Sequence, residues 1–486
     1  MSRHRRGSVV GTALSLMTST VLSAVLTFGF WIAAARFFEP AAVGRISAGV
    51  ASITLLAAVA QLNLHSMYGR FLPGAGARSA RLVLGGYAAS ALTAAGLTAG
   101  YLALGLDGSL MLGTDTRSRW LFGVGVVATA IFLIQDGVLT ALGRAAAVPV
   151  KNVVSAAGKL ALLPALAVGT AEAVAGDGLL LAWVLPVVTV MLLWNAWIMI
   201  RLVPAHVRAR RGAGPLRLRE VLRFASAEYV NGIVTNVVAF LPPLLVTHVA
   251  GAVTGAYFYL PWVIGVSVTT MLWQTVTSFV AEASTAEARG DRTRLAGQLR
   301  RTAVMVAVVA GGGGIVLAAA AEPLLWVLGA EYAASGTTPL RLIGLALPFT
   351  GVIVLYAGFA AMEKRMWRMV ALQSAAAAAF LGATWFNLPH QGLAAPAAAH
   401  LLAQACLGLA LLPGLVTRIR AAVAAPAPAA PAPVPRPAGT ADSTTAGTAD
   451  STADSTTEPP RRIGVPHPRA ATPRAEALTS SRRSTW

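Results

Sequence analysis

The sequence predicts an all-α integral membrane protein: twelve transmembrane helices in two six-helix halves, followed by a disordered C-terminal tail. Three observations predict it. Of 486 residues, 56% are hydrophobic and 12% charged, against about 45–50% apolar and about 25% charged in an ordinary soluble domain. The mean hydropathy is +0.67. Charge-free stretches recur at the length of a membrane span, and the basic residues gather in alternate connections. A soluble chain could not hide this much apolar surface, which excludes an ordinary cytosolic enzyme and a fibrous protein. A single cysteine, Cys406, excludes a disulfide scaffold and a zinc cluster.

About 20 apolar residues cross the hydrocarbon core. Runs of that order lie at Gly7–Ala35, Ile46–Gly69, Leu82–Leu106, Gly178–Ile200, Thr302–Ala321 and Leu342–Met362. Two longer runs, Tyr229–Ala281 and Met369–Thr417, should break at Thr247–Gly251 and at Asn387–Gly392, where the residues favour turns. Spans near 119–142 and 150–169 carry one charge each, Asp136 and Lys159, which completes twelve. The first run imitates a secretory signal but is about twice as long, and reads as an uncleaved span.

With both termini cytoplasmic, the inner connections and tail hold 32 of the 38 basic residues, and the outer connections hold only Arg36, Arg45, Arg117 and Arg119. That bias follows the positive-inside rule, and one helix more or fewer midway would destroy it. It also explains the net charge of +19 without a nucleic-acid partner. The longest inner connection, residues 201–223, separates a half at 1–200 from a half at 224–419. The halves echo each other: Glu39-Pro-Ala-Ala-Val-Gly-Arg45 follows the first helix and Ala250-Gly-Ala-Val-Thr-Gly-Ala256 the seventh. Such repeats are the usual build of transporters, with substrate between them. Residues 420–486 are rich in Ala, Pro, Ser and Thr, with Thr440–Thr444 repeated at Thr448–Thr452. That composition cannot offset the entropy of ordering. The tail is either a dispensable extension near anionic lipid or a docking segment, with polysaccharide-synthesis enzymes as possible partners.

No catalytic, metal-binding or cofactor motif is present in its expected context. The informative residues are polar ones at membrane depth, where each must be satisfied by protein or cavity water. Asp136 and Lys159 lie on consecutive antiparallel helices at comparable predicted depth. They are expected to pair, as a gate or as a static clamp, unless Lys159 snorkels to the interface. Helix seven offers Glu228, Asn231 and Thr235 on one face, with Asn236 nearby, and Pro242-Pro243 should interrupt it. Ser8, Thr12, Ser15 and Ser19 form a stripe on helix one, and Ser267, Thr270, Gln274 and Thr277 one on helix eight. These stripes either line a wet cavity or glue helices together. Arg341, Arg36, Arg45 and Arg70 are candidates to hold phosphate through their planar forks; each could equally be an interfacial anchor, and Arg341 could pair with Glu331. Tyr257, Tyr259, Trp262 and Trp273 could stack on sugar faces, or the first three could form an interfacial aromatic belt.

Arg36-Phe-Phe-Glu-Pro-Ala-Ala-Val-Gly-Arg45 after a Ser/Thr-rich helix resembles the first external turn of bacterial polysaccharide-biosynthesis membrane proteins. These are the oligosaccharide-lipid flippases of the multidrug/oligosaccharidyl-lipid/polysaccharide exporter superfamily. Leu328–Gly336, Leu340-Arg-Leu-Ile343 and Glu363-Lys-Arg365 resemble its second-half pattern, and the similarity spans residues 8–418. The resemblance implies two six-helix bundles around a central cavity in a bacterial plasma membrane. The implied cargo is a polyprenyl-diphosphate-linked oligosaccharide moved from the inner to the outer leaflet by alternating access. Few cavity cations are present, chiefly Lys159 and Arg341, where that family typically has more. A cation-coupled multidrug efflux antiporter is the nearest alternative. A membrane glycan polymerase or glycosyltransferase, and a non-transporting scaffold, are more distant ones.

Overall fold

The computed structural model describes residues 22–106, 116–168, 175–209, 218–288, 292–363 and 366–424. The Ser/Thr stripe at Ser8 to Ser19 and the tail beyond residue 424 lie outside the described residues. Among the described residues every regular element is helical. In chain order they are α1 Leu22–Phe37, α2 Pro40–Ala60, α3 Leu64–Phe71, α4 Ser79–Ala103, α5 Thr116–Ala141, α6 Ala147–Val168, α7 Ala175–Trp197 and α8 Val203–Ala209. The second half supplies α9 Leu218–Ala250, α10 Ala252–Ala288, α11 Arg292–Ala307, α12 Gly313–Ala319, α13 Ala321–Trp326, α14 Ala330–Met362, α15 Met366–Gln391 and α16 Ala394–Ala424.

These elements make twelve crossings. Ten are long and apolar enough to span a membrane. The other two are α1, a shorter apolar helix at Leu22–Phe37, and α6, which carries two lysines. Two crossings consist of helices joined through π-helical turns, α7 to α8 through Ile198–Leu202 and α11 to α12 through Val308–Gly312. The predicted breaks at Thr247–Gly251 and Asn387–Gly392 are present. Each ends in a glycine at positive φ, Gly251 at 87° and Gly392 at 61°, a conformation that costs other residues a steric clash. The second crossing breaks between α2 and α3, where Leu62 and Asn63 both adopt left-handed backbone.

The predicted interruption at Pro242-Pro243 does not occur: α9 runs through both prolines. Proline removes one N–H and so strands the carbonyl four residues earlier. For Pro243 that carbonyl belongs to Ala239, and the indole Nε1–H of Trp262 on α10 donates to it at 2.7 Å. A neighbouring helix thus restores the bond that the sequence removes.

We call the end of the bundles where α8 stops at Ala209 and α9 starts at Leu218 the linker end, and the opposite one the far end. At the far end the two halves share one apolar core. Phe30, Trp31 and Ala34 of α1 and Val43 and Ile46 of α2 pack with Ala256, Tyr259 and Leu260 of α10 and with Leu328 and Tyr332. The Trp31 and Tyr259 rings meet edge to face at 4.8 Å. The echoed motifs place their glycines at the closest approaches there. A Cβ on Gly44 would stand 1.7 Å from the Ala252 carbonyl oxygen, and one on Gly255 would stand 2.2 Å from Thr247 Oγ1.

Toward the linker end α2 stays beside α9, and Tyr229 Oη donates to the Val59 carbonyl at 2.7 Å. Helix α10 does not remain covered. Its residues Phe258, Tyr259, Leu260 and Trp262 are buried, whereas Ser267, Thr270, Gln274 and Thr277 farther along are exposed. Ser267, Thr270 and Thr277 each donate to their own helix, at Val263, Val266 and Trp273, and Gln274 is exposed beside them, while aromatic packing joins the halves at the far end.

Candidate functional site

The charged residues of the first half do not pair as the sequence predicts. Asp136 on α5 binds Lys151, with Nζ 2.6 Å from Oδ1, and Lys151 also donates to the Phe132 carbonyl and lies 3.5 Å from the Phe132 ring centroid. The reason is depth. Asp136 is five residues before the end of α5 and Lys151 four after the start of α6, so both lie about 6–8 Å inside the linker end at 1.5 Å per residue. Lys159 is twelve residues into α6, about 18 Å deep, out of reach of Asp136. Lys151 reads in sequence as a connection residue because α6 begins earlier than the charge-free run suggests. Its side chain is wholly buried.

Lys159 sits instead on an aromatic platform. Its ammonium lies 3.4 Å from the centroid of Trp183 on α7, and Trp183 packs against Phe30 at 5.3 Å and Trp31 at 5.7 Å. A cation on an indole face is held by the ring quadrupole. This contact leaves the three N–H donors of Lys159 without a described acceptor. Among residues whose side chains are described, Asp136 is the one carboxylate more than a turn inside a span, and Lys151 neutralises it. Among the described residues, Lys159 is therefore a lysine near mid-depth of the first half with no carboxylate beside it.

The second half holds a cavity of about 150 Å³ among α9, α10, α14, α15 and α16. Thr235 and Thr270, both predicted to face a cavity, line it, together with His400, Gln373 and Gln404, which sequence reasoning did not single out. Their spacing on long apolar helices carries no motif; only the packing of five helices brings them together. Trp262 and Trp273 also line it. The aromatic-belt reading does not hold: Tyr259 and Trp262 are buried, and Tyr257 Oη donates to Glu331 Oε2 at 2.5 Å.

The remaining candidates scatter. Glu228 lies on α9, but its side chain is outside those described. The Asn231 Oδ1 atom is buried without a partner, and Asn236 Nδ2 donates to its own helix at Gly232. Gln274 is exposed in the α10 stripe. Arg341 does not open its helix or pair with Glu331; it lies eleven residues into α14 and approaches Glu322 at 4.0 Å on an exposed face. Arg36 bridges the halves at the far end, donating from Nε and Nη2 to the Val327 carbonyl at 3.0 and 2.8 Å. Arg45 is half-buried on α2, and the exposed Arg70 guanidinium is 5.8 Å from the Phe71 ring. The phosphate candidates thus do not converge on one point. Among the described residues no His, Cys, Asp and Glu group could hold a metal ion.

No protein-family model matches the chain, and a comparison with curated proteins finds no match. Solved structures do match. The inward-facing conformation of a multidrug resistance MATE family transporter of the MOP superfamily superposes with a TM-score of 0.63 at 16% identity, over 83% of this chain and 95% of that one. The outward-facing conformation of such a transporter gives 0.57 at 13% identity, over 85% and 96%. A MOP superfamily transporter from Pyrococcus furiosus, described as having a binding pocket of reverse polarity that suggests a different function, gives 0.59 at 13% identity, over 85% and 96%. The chain therefore shares the fold of these structures, twelve spans in two bundles. It is a multi-pass membrane protein.

Proposed function

We propose that this chain is a flippase that carries a polyprenyl-diphosphate-linked oligosaccharide from the leaflet at the linker end to the opposite leaflet by alternating access. The linker end would face the cytoplasm of a bacterium, as the excess of arginine there favours. The observation that carries the reading is Lys159: a lysine near mid-depth on Trp183, with the carboxylate Asp136 out of its reach and bound to Lys151. A lysine with no carboxylate beside it suits an anionic head group and disfavours a cationic drug. The cleft beside the exposed α10 stripe would take the hydrophilic head while the polyprenyl tail stays in lipid. Rocking of the halves about the far end, where they pack together, would then transfer the head.

The test is a proteoliposome assay with a fluorescent polyprenyl-diphosphate glycan. Transfer between leaflets that falls at least about tenfold in Lys159→Met, with Lys159→Arg partly active, supports the reading. Cation-coupled efflux is the second reading, favoured by the multidrug transporters that share the fold. Extrusion of organic cations against a proton or sodium gradient, with no lipid transfer, would establish it instead.

A further inference from the structure

Three threonine hydroxyls and one indole N–H in the wall of the second-half cavity are spent on backbone carbonyls. Thr235 Oγ1 donates to the Asn231 carbonyl at 2.9 Å, Thr270 to Val266 at 2.9 Å and Thr350 to Ala346 at 3.1 Å. The Trp262 indole N–H is committed to Ala239. Each of these threonines lines the cavity with its proton spent on backbone and its oxygen lone pairs free to accept. Two further polar atoms, the acceptor Gln373 Oε1 and the imidazole nitrogen His400 Nδ1, are buried with no partner. Buried polar atoms left in that state are costly and call for a partner that supplies what is missing.

The wall carries no carboxylate, lysine or arginine. A bound metal cation or ammonium would lack a counter-charge, and an anion would lack a cationic partner. What fits is neutral and rich in O–H donors. The volume of about 150 Å³ corresponds to about five waters, the scale of one sugar ring. Trp273 supplies an aromatic wall, while Trp262 is already stacked on Phe258 and Phe380 at 5.5 and 5.8 Å. Thr270 belongs both to this wall and to the exposed α10 stripe, so the cavity borders that stripe.

We propose that this cavity seats one neutral, hydroxyl-rich sugar unit of the cargo glycan, accepted by Gln373, His400 and the threonine oxygens, with Gln404 as the amide able both to donate and to accept. The inference rests on the flippase reading for the origin of the sugar, but binding itself is measurable without transport. The experiment places the full chain in lipid nanodiscs free of glycoside detergent. Saturation-transfer NMR then follows the methyl glycosides of glucose, galactose, mannose and N-acetylglucosamine at millimolar concentration, with glucuronate and sodium as controls.

Saturable binding of at least one neutral glycoside is expected. It should weaken about tenfold in Gln373→Leu and in His400→Phe, and return in part in Gln373→Asn and His400→Gln, with the thermal unfolding midpoint of all four near that of the parent. Absence of binding by every neutral glycoside overturns the proposal. So does binding indifferent to all four substitutions, or sodium displacing the glycoside. If glycosides bind but no polyprenyl-diphosphate lipid is transferred, the flippase reading falls and the sugar site stands. If lipid transfer proceeds and none of these glycosides binds, the sugar site falls alone.

Discussion

The two halves share a plan and use it with different chemistry. The first half keeps charges at depth: an ion pair between α5 and α6, and a lysine on an aromatic platform. In the second, the five-helix cavity is uncharged and lined with threonines, glutamines and a histidine. The second crossing is broken at Leu62 and Asn63, whereas the eighth runs unbroken through 37 residues despite Pro261. A scaffold of two bundles that must only cross a bilayer leaves each interior free to differ. One half can then specialise in charge and the other in directional hydrogen bonds. The glycines of the echoed motifs mark where that freedom stops, because there the chains touch.

The largest effect should come from the charge pair. Asp136→Asn or Lys151→Met alone strands a partner in a site where Lys151 is wholly buried, and should cost about 3–5 kcal/mol. The double variant should recover most of it in a thermodynamic cycle of detergent unfolding. Losses that simply add would show that the two residues do not interact. Lys159, having no carboxylate partner, should couple to Asp136 by less than about 0.5 kcal/mol in the same cycle.

Next in size is the contact between halves. Gly44→Ala drives a methyl into the Ala252 backbone, which cannot swing away, and should cost about 1–3 kcal/mol. Gly255→Ala, at an approach within the second half, meets first the Thr247 hydroxyl rather than backbone and should cost less. Equal costs would mean that the far-end contact is looser than the Gly44–Ala252 approach requires. Cysteine labelling at Ala34 would report the same difference as increased access in the Gly44 variant.

Trp262→Phe should lose about 1–2 kcal/mol by exposing the Ala239 carbonyl. Most of that loss should vanish when Pro243→Ala restores the intrahelical donor. A persistent loss would assign the role of Trp262 to packing alone. The smallest effect belongs to Arg36→Gln, whose exposed bonds to Val327 and Trp326 are worth about 0.5–1.5 kcal/mol. It should raise far-end labelling modestly without lowering the unfolding midpoint by more than a few degrees.

Most of the architecture is legible in the sequence. The span boundaries near Gly251 and Gly392 and the twelve crossings follow from apolar run lengths, turn residues and the placement of arginine. Legibility ends at partners. Lys151 looks like a connection residue, Lys159 looks like the mate of Asp136, and Trp262 looks like an interfacial anchor. Each misassignment has one cause: a helix can start a turn earlier, or a neighbour can repair a proline, without any change in the hydropathy pattern.

The sequence by itself determined that the chain must be helical, that it must cross a bilayer repeatedly and which connections are basic. Backbone groups in hydrocarbon have few ways to be satisfied, and apolar length is written residue by residue. Only the tertiary structure decided which cation meets which carboxylate, which carbonyl receives the Trp262 proton and which acceptors face the cavity. Those choices depend on helix depth and rotation to within a turn, and that precision is set by side chains packing against neighbours remote in the chain.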